Sequence, residues 1–228
     1  MIVNAWGVAL ARRGIREADR LVTIYTENLG KLSARFVGVD KPGRKLKALS
    51  EPMIWAEYRL YLSPRLDTAK AIGGQIIASF PAIRSDFRRT VAGLSCCEML
   101  ARLTPERSPN EDKYRLICAA LGALDAGASP WLETAYGLQL LELSGYGLRD
   151  VRLAATADAA ERRIWEELHE TGLGALGDIP PRPETERKFR QVVLRHVEAH
   201  IGKPLKSREF VEELRDAPPG RPALESVC

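Results

Sequence analysis

A chain of 228 residues with 45% apolar and 28% charged residues can bury a sizeable core, as one large domain or two small ones. Its net charge of +4 is unevenly placed: residues 1–80 hold 13 Lys and Arg against 7 Asp and Glu, and residues 81–228 hold 21 against 23. A polyanionic or acidic partner is therefore expected at the N-terminal part, with a solvated basic face as the plainer reading. Cys96, Cys97, Cys118 and Cys228 show no C-x-x-C spacing, which argues against a disulfide framework or a four-cysteine zinc site. The longest uncharged run, Ala71 to Ile83, falls short of a membrane span. The N-terminus MIVNAWGVALARR carries its charges after its apolar residues and reads as a first strand rather than a signal peptide. These features fit a reduced, cytoplasmic protein.

Residues 1–80 contain about five segments rich in β-branched and aromatic residues, near 3–12, 19–27, 31–39, 53–62 and 68–78. The second and third flank Asn28-Leu29-Gly30, a turn with a glycine free to take positive φ, and predict a hairpin. Five short strands must hide their edges, and a small closed barrel of the OB type does so. Such barrels hold single-stranded nucleic acid with cations and stacking aromatics, and Tyr25, Phe36, Trp55, Tyr58 and Tyr61 are available. Trp55, Tyr58 and Tyr61 cannot all share one face of a strand, so some of them belong to the core. Lys41, Arg44, Lys45 and Lys47 follow the hairpin in a segment broken by Pro42 and Gly43, a basic loop suited to a polyanion.

From Phe80 onward the pattern turns helical. Ile83, Phe87, Val91 and Leu94 repeat at helical spacing, with Leu100 and Leu103 adding a further apolar side, as in a central, well-covered helix that ends at Pro105. Tyr114, Ile117, Cys118, Leu121 and Leu124 mark a second helix closing near Gly127, with Cys118 as a small core residue. Ser129 with Pro130 predicts the start of a third, running through Trp131 to Gly145. Asp158 and Glu161 form a capping-box pattern opening a helix to about Thr171. A last long helix is predicted over 184–201, stopped by Gly202 and Pro204. A short helix over about 207–215 and a disordered tail over 217–228 complete the chain.

Several motifs have ordinary explanations. Gly172, Gly174 and Gly177 match G-x-G-x-x-G, yet the motif follows a helix and leads into Asp178-Ile179-Pro180-Pro181, so it reads as a flexible connector. His196 and His200 lie one turn apart on the stripe of Phe189, Val193 and Val197, and read as packed core-edge residues rather than ligands. No nucleophile has a matched base, and there is no P-loop, so the chain is not expected to be an enzyme. Lys203, Lys206 and Arg208, with Arg190 and Arg195, either extend a phosphate-binding surface or simply complement a helix C-terminus.

The runs GIREADRLVTIYTENLGKLSA (14–34), FPAIRSDFRR (80–89), LELSGYG (141–147) and HIGKPLKSREF (200–210) resemble the bacterial RecO family, in order along nearly the whole chain. The resemblance implies an α+β chain with an OB-fold over 1–79 and an all-helical domain over 80–216. It also implies a non-enzymatic DNA repair mediator working at the nucleoid. Such a mediator binds single- and double-stranded DNA, anneals complementary strands, contacts the C-terminal tail of single-stranded-DNA-binding protein, and acts with RecR to help load RecA. Carried onto matching blocks, DNA contact is expected among Arg20, Lys31, Lys206 and Arg208, with Arg35 on the same hairpin; Lys41, Arg44, Lys45 and Lys47 match in charge alone. Many family members place four cysteines after the block seen here as SGYG, in a zinc-binding insertion. This chain has none there, which implies a zinc-free variant. A protein-interaction scaffold and an RNA-binding barrel remain the alternatives.

Overall fold

The computed structural model describes residues 1–39, 46–63, 67–127, 129–148 and 157–207. Lys41, Arg44, Lys45 and Arg208 lie outside these residues, as do most of the short helix expected over 207–215, the tail, and positions 149–156 where the zinc insertion of other family members would fall.

Strand β1 (Ile2–Arg16) is long enough to serve two neighbours. Its first half pairs with β4 (Trp55–Tyr61), and its second half pairs with β2 (Asp19–Thr26). Register shifts between Ala9 and Ala11 and between Gly14 and Arg16 bend it as it passes from one to the other. Gly7 stands where the change of partner begins. A Cβ there would come within 2.9 Å of the Ile24 and Thr26 side chains and the Tyr25 carbonyl, so only glycine lets β2 approach. Antiparallel pairing of β2 with β3 (Gly30–Phe36), parallel pairing of β3 with β5 (Ala69–Ala78), and antiparallel pairing of β5 with β4 close the barrel in the order β1-β2-β3-β5-β4. Among the described residues this is an OB-fold, and the hairpin turns at Gly30 with φ 66°.

Inside the barrel, alanines at 5, 9, 34, 56, 69 and 71 leave space that Phe36 and Tyr58 fill edge to face, their centroids 6.4 Å apart. The Tyr58 hydroxyl donates to the carbonyls of Leu49 and Ile54 and so needs no water. Leu49, on the one-turn helix α1 (Leu46–Leu49), plugs one end and lies against Gly74, where a Cβ would meet it at 3.1 Å.

The helices follow: α2 (Pro81–Ser85), α3 (Phe87–Leu103), α4 (Glu111–Gly127), α5 (Leu132–Leu143), α6 (Ala159–Glu170) and α7 (Pro183–Ile201). The apolar repeat beginning at Ile83 predicts one helix, but the chain forms two. Asp86 adopts an extended conformation and its carboxylate accepts from the Arg89 amide, capping α3 and ending α2. Both α3 and α5 are well covered: α3 buries Cys96, Cys97, Met99 and Leu100, and the residues of α5 from Thr134 to Leu138 are all buried. The start of α5 also differs from expectation. Ser129 and Pro130 form a turn, and the helix begins at Leu132 with Trp131 at the cap, because Trp131 is committed to the core.

Asp158 accepts from the Glu161 amide at 2.7 Å and opens α6, as its pattern predicts. The glycine-rich segment 172–183 is not a flexible connector. Leu173, Leu176 and Ile179 are buried, a short 3-10 turn spans Leu176–Asp178, and the apolar residues between the glycines anchor it to the core. The stripe Phe189, Val193 and Val197 is buried on α7, which stops at Gly202 with φ 70°.

Cys96 and Cys97 are fully buried on α3, and Cys118 is partly covered on α4. Burial pushes the thiols of Cys97 and Cys118 up to about 12. The thiolate is the reactive form. Neither cysteine should be carbamidomethylated by iodoacetamide in native protein at pH 8, whereas both should react in denaturant; peptide mass spectrometry reads the difference, and rapid native labelling would contradict the packing.

Candidate nucleic-acid interface

The conserved chemistry of a nucleic-acid surface requires cations free to meet phosphates and rings free to stack. On β2 and β3 the cations are already engaged. Arg20 is only 7% exposed. Its guanidinium donates to Ser50 Oγ at 3.0 Å and to Glu51 Oε1 at 2.7 Å, while Arg12 reaches the other oxygen of Glu51 at 3.2 Å. Arg35, partly exposed, forks onto Asp19 Oδ2, whose partner oxygen accepts from the Gly38 amide at 2.7 Å. Register pairs Arg20 with Phe36 and Leu21 with Arg35, so these two arginines sit at one end of the hairpin.

Lys31 lies at the other end. Its side chain is 13% exposed, its ammonium donates to the Ala101 carbonyl on α3 at 2.7 Å, and Glu106 stands 3.5 Å away. Lys47 is exposed on α1. Lys206 is exposed at the helical end of the chain, where its amide and that of Ser207 donate to the Glu98 carboxylate of α3. Of the five described candidates, Arg20, Arg35 and Lys47 gather at one end of the hairpin, where Ser50 Oγ accepts from Arg20 and donates to the Lys47 carbonyl, while Lys31 and Lys206 both bond to the last turns of α3, at Ala101 and Glu98. Arg20→Met is expected to lower stability by about 1–3 kcal/mol by removing the charged donor from Ser50 and from Oε1 of Glu51, which keeps Arg12. Urea unfolding measures this, and an unchanged midpoint would remove the structural role.

The aromatics divide in a similar way. Tyr25, Phe36 and Tyr58 are fully buried, and the Tyr25 hydroxyl donates to the Asn110 carbonyl. Trp55 is half-buried and its indole N–H donates to the Tyr114 hydroxyl of α4 at 2.9 Å. Tyr61 is 43% exposed, and Trp6, absent from the aromatics expected on the barrel, is 51% exposed. The signal for Trp6 was its period of two with Ile2 and Asn4, a polar residue that marks the outward face of β1.

In the helical part, Arg190 pairs with Glu186 and lies 3.8 Å from Glu133, so it belongs to an internal network. His196 and His200 ring nitrogens engage the carbonyls of Tyr146 and His196, respectively, and burial lowers the His196 pKa. A cleft of about 400 Å³ opens between α4, α5 and the segment after α6, lined by Leu116, Leu143 and Leu173 with Arg115, Asp112 and Glu142 at its polar side. Among the described residues no helix is long and apolar enough to cross a membrane.

Comparison with known proteins fits this two-part arrangement. The family model described as "Recombination protein O N terminal" matches residues 1–80, and "Recombination protein O C terminal" matches residues 84–166. Together they span the barrel, the end of α2, all of α3, α4 and α5, and part of α6. The chain belongs to the RecO family. The DNA repair protein RecO of Bacillus subtilis is 23% identical over 94% of this chain and 95% of its own length. That of Pelotomaculum thermopropionicum is also 23% identical, over 98% of this chain and 99% of its own. A shorter match, to RecO of an Exiguobacterium strain, reaches 30% identity over 64% of this chain and 58% of the relative. RecO membership gives the chain a role in DNA repair and recombination, and the OB-fold is the N-terminal domain that the family carries.

Proposed function

We propose that this chain is a recombination mediator that binds single- and double-stranded DNA, anneals complementary strands and, with RecR, helps load RecA onto gaps coated with single-stranded-DNA-binding protein. The observation that supports the reading best is the coincidence of the two RecO matches, in order, with an OB barrel followed by helices. No covalent step is assigned to it. Cations neutralise phosphate and release counterions, so two strands held on one protein repel each other less than in solution. The barrel, residues 1–79, is taken as the DNA-binding part and residues 80–216 as the part that meets protein partners.

The tail of single-stranded-DNA-binding protein is assigned to the cleft beside α4 and α5, where Leu116, Leu143 and Leu173 offer apolar surface and Arg115 a cation. Asp112 and Glu142 share that lining, so apolar contact rather than net charge must carry the affinity. The engagement of Arg20, Lys31 and Arg35 with protein groups favours a second reading, a barrel that serves as a protein-interaction scaffold.

Fluorescence anisotropy of a labelled single strand, titrated across a salt series, separates the two. A mediator is expected to lose affinity linearly in log salt, with a slope of about −0.7 for each phosphate neutralised, and to accelerate annealing over a no-protein control. Absence of binding even at low salt would leave the scaffold. Preference for an RNA competitor over DNA of the same sequence would instead indicate recognition of the 2′-hydroxyl.

A further inference from the structure

The free chemistry of the barrel lies on the outward face of β1, β4 and β5, not on β2 and β3. Register sets Ile2 beside Tyr61 and Tyr61 beside Lys70. The next row is Asn4, Arg59 and Gly73, and the third is Trp6, Glu57 and Gln75. Alternation along β4 turns Tyr61, Arg59 and Glu57 outward while Tyr58 and Leu60 fill the core. Trp6 and Tyr61 are both about half exposed, with Ile2 and Ile72 exposed beside them. Arg59 and Lys70 are exposed and form no ion pair among the described residues. The glycine in the middle row matters. A Cβ at Gly73 would lie 3.7 Å from the Arg59 Cβ and 4.0 Å from its Cδ, so the arginine stem crosses a strand that presents no side chain of its own.

We propose that this face is the seat of a single strand of DNA, with Trp6 and Tyr61 stacking on bases and Arg59 and Lys70 meeting the phosphates. The proposal rests on the reading above that DNA is the ligand, and names the surface that takes it. Two rings four residues and one strand apart stand roughly 14 Å from each other, with a cation between them. That alternation of ring and charge matches a chain in which bases and phosphates alternate, and every base has a face to stack. A duplex keeps its bases paired and offers no such faces. A protein partner would be matched by a continuous apolar patch, whereas Asn4, Arg59, Glu57 and Gln75 interrupt this one. Glu57, beside Trp6, turns phosphates away from that corner and toward Arg59 and Lys70.

The contrast with the other side of the barrel supports the choice. On β2 and β3 the aromatics Tyr25 and Phe36 are buried, and Arg20, Lys31 and Arg35 already have protein partners. A strand placed there would meet Arg20 and Lys31 only by breaking their pairs, and Arg35 only through the part of its side chain that Asp19 leaves exposed.

The test uses the full chain with fluorescein-labelled oligo(dT) and, separately, a labelled duplex. Trp6→Ala and Tyr61→Ala should each weaken oligo(dT) binding about tenfold and leave duplex binding unchanged, while Trp6→Phe and Tyr61→Phe retain it. Arg59→Gln should reduce the salt slope by about 0.7. All these side chains are exposed, and thermal melts superimposable on wild type confirm that folding is intact. Oligo(dT) binding undiminished in both alanine variants would overturn the assignment while leaving DNA binding in place. Undiminished oligo(dT) binding with lost binding to purified RecR would make the face a protein dock. If the wild-type chain itself binds no oligo(dT) at low salt, the parent reading falls, and the assignment falls with it.

Discussion

Trp131→Ala is expected to destabilise the helical domain by about 3–5 kcal/mol, the cost of emptying a large buried ring site. Trp131 has no exposed surface, and it faces Phe189 of α7 with centroids 6.1 Å apart. Phe189 in turn meets Trp165 of α6 edge to face at 4.9 Å, so one residue closes a contact that joins three helices. The indole N–H donates to the Pro180 carbonyl at 3.2 Å, tying the glycine-rich segment to the start of α5. Alanine leaves a cavity and an orphaned carbonyl together. Trp131→Phe keeps much of the packing and loses only the donor, so its cost should be smaller, about 1–3 kcal/mol. Urea denaturation monitored by far-ultraviolet circular dichroism measures both, and a Trp131→Ala loss below about 1 kcal/mol would mean that the site collapses around the smaller side chain.

Gly30→Ala should cost about 2–4 kcal/mol, from a left-handed backbone that disfavours any Cβ together with the close approach of a second segment. The new carbon would lie 2.6 Å from Pro109 N and from the Ser108 carbonyl oxygen, and nearer still to the Ser108 carbonyl carbon, all backbone atoms that cannot rotate away. The tip of the hairpin and the segment 104–110 are further joined by the Arg107 amide donating to the Lys31 carbonyl at 2.8 Å. Damage is therefore expected at the junction of barrel and helices. Differential scanning calorimetry should show a lowered transition that broadens or splits. Gly145→Ala is the control: the same left-handed conformation, φ 79°, with nothing within 4 Å of the added carbon, should cost only about 1–2 kcal/mol. Equal losses in the two variants would show that the close approach has no energetic weight.

The strands were legible because alternation and β-branched enrichment are local signals, and Gly30, Asp158 and Gly202 announced their turn and caps for the same reason. The break at Asp86 was less visible, since an apolar repeat continues across it while a single carboxylate redirects the backbone. At the candidate surface the limit was different. Arg20, Lys31 and Arg35 read as available cations, but their partners Glu51, the Ala101 carbonyl and Asp19 stand 31, 70 and 16 residues away in sequence. No periodicity reports such a meeting. Trp6 was hidden by its apolar neighbours, although Asn4 two positions before it carried the clue. Family resemblance located the blocks, yet it could not tell an engaged arginine from a free one.

The seam between barrel and helices has a mechanical meaning. The Lys31 ammonium, the Tyr25 hydroxyl and the Trp55 indole each cross it to a helix or to the segment leading into one. Tyr25 and Lys31 face each other across the β2–β3 ladder beside its turn and Trp55 opens β4, so the ties bear on two places of the barrel. Pulling the barrel away from the helices would have to break these three hydrogen bonds together, which makes the junction a bonded seam rather than a bare linker.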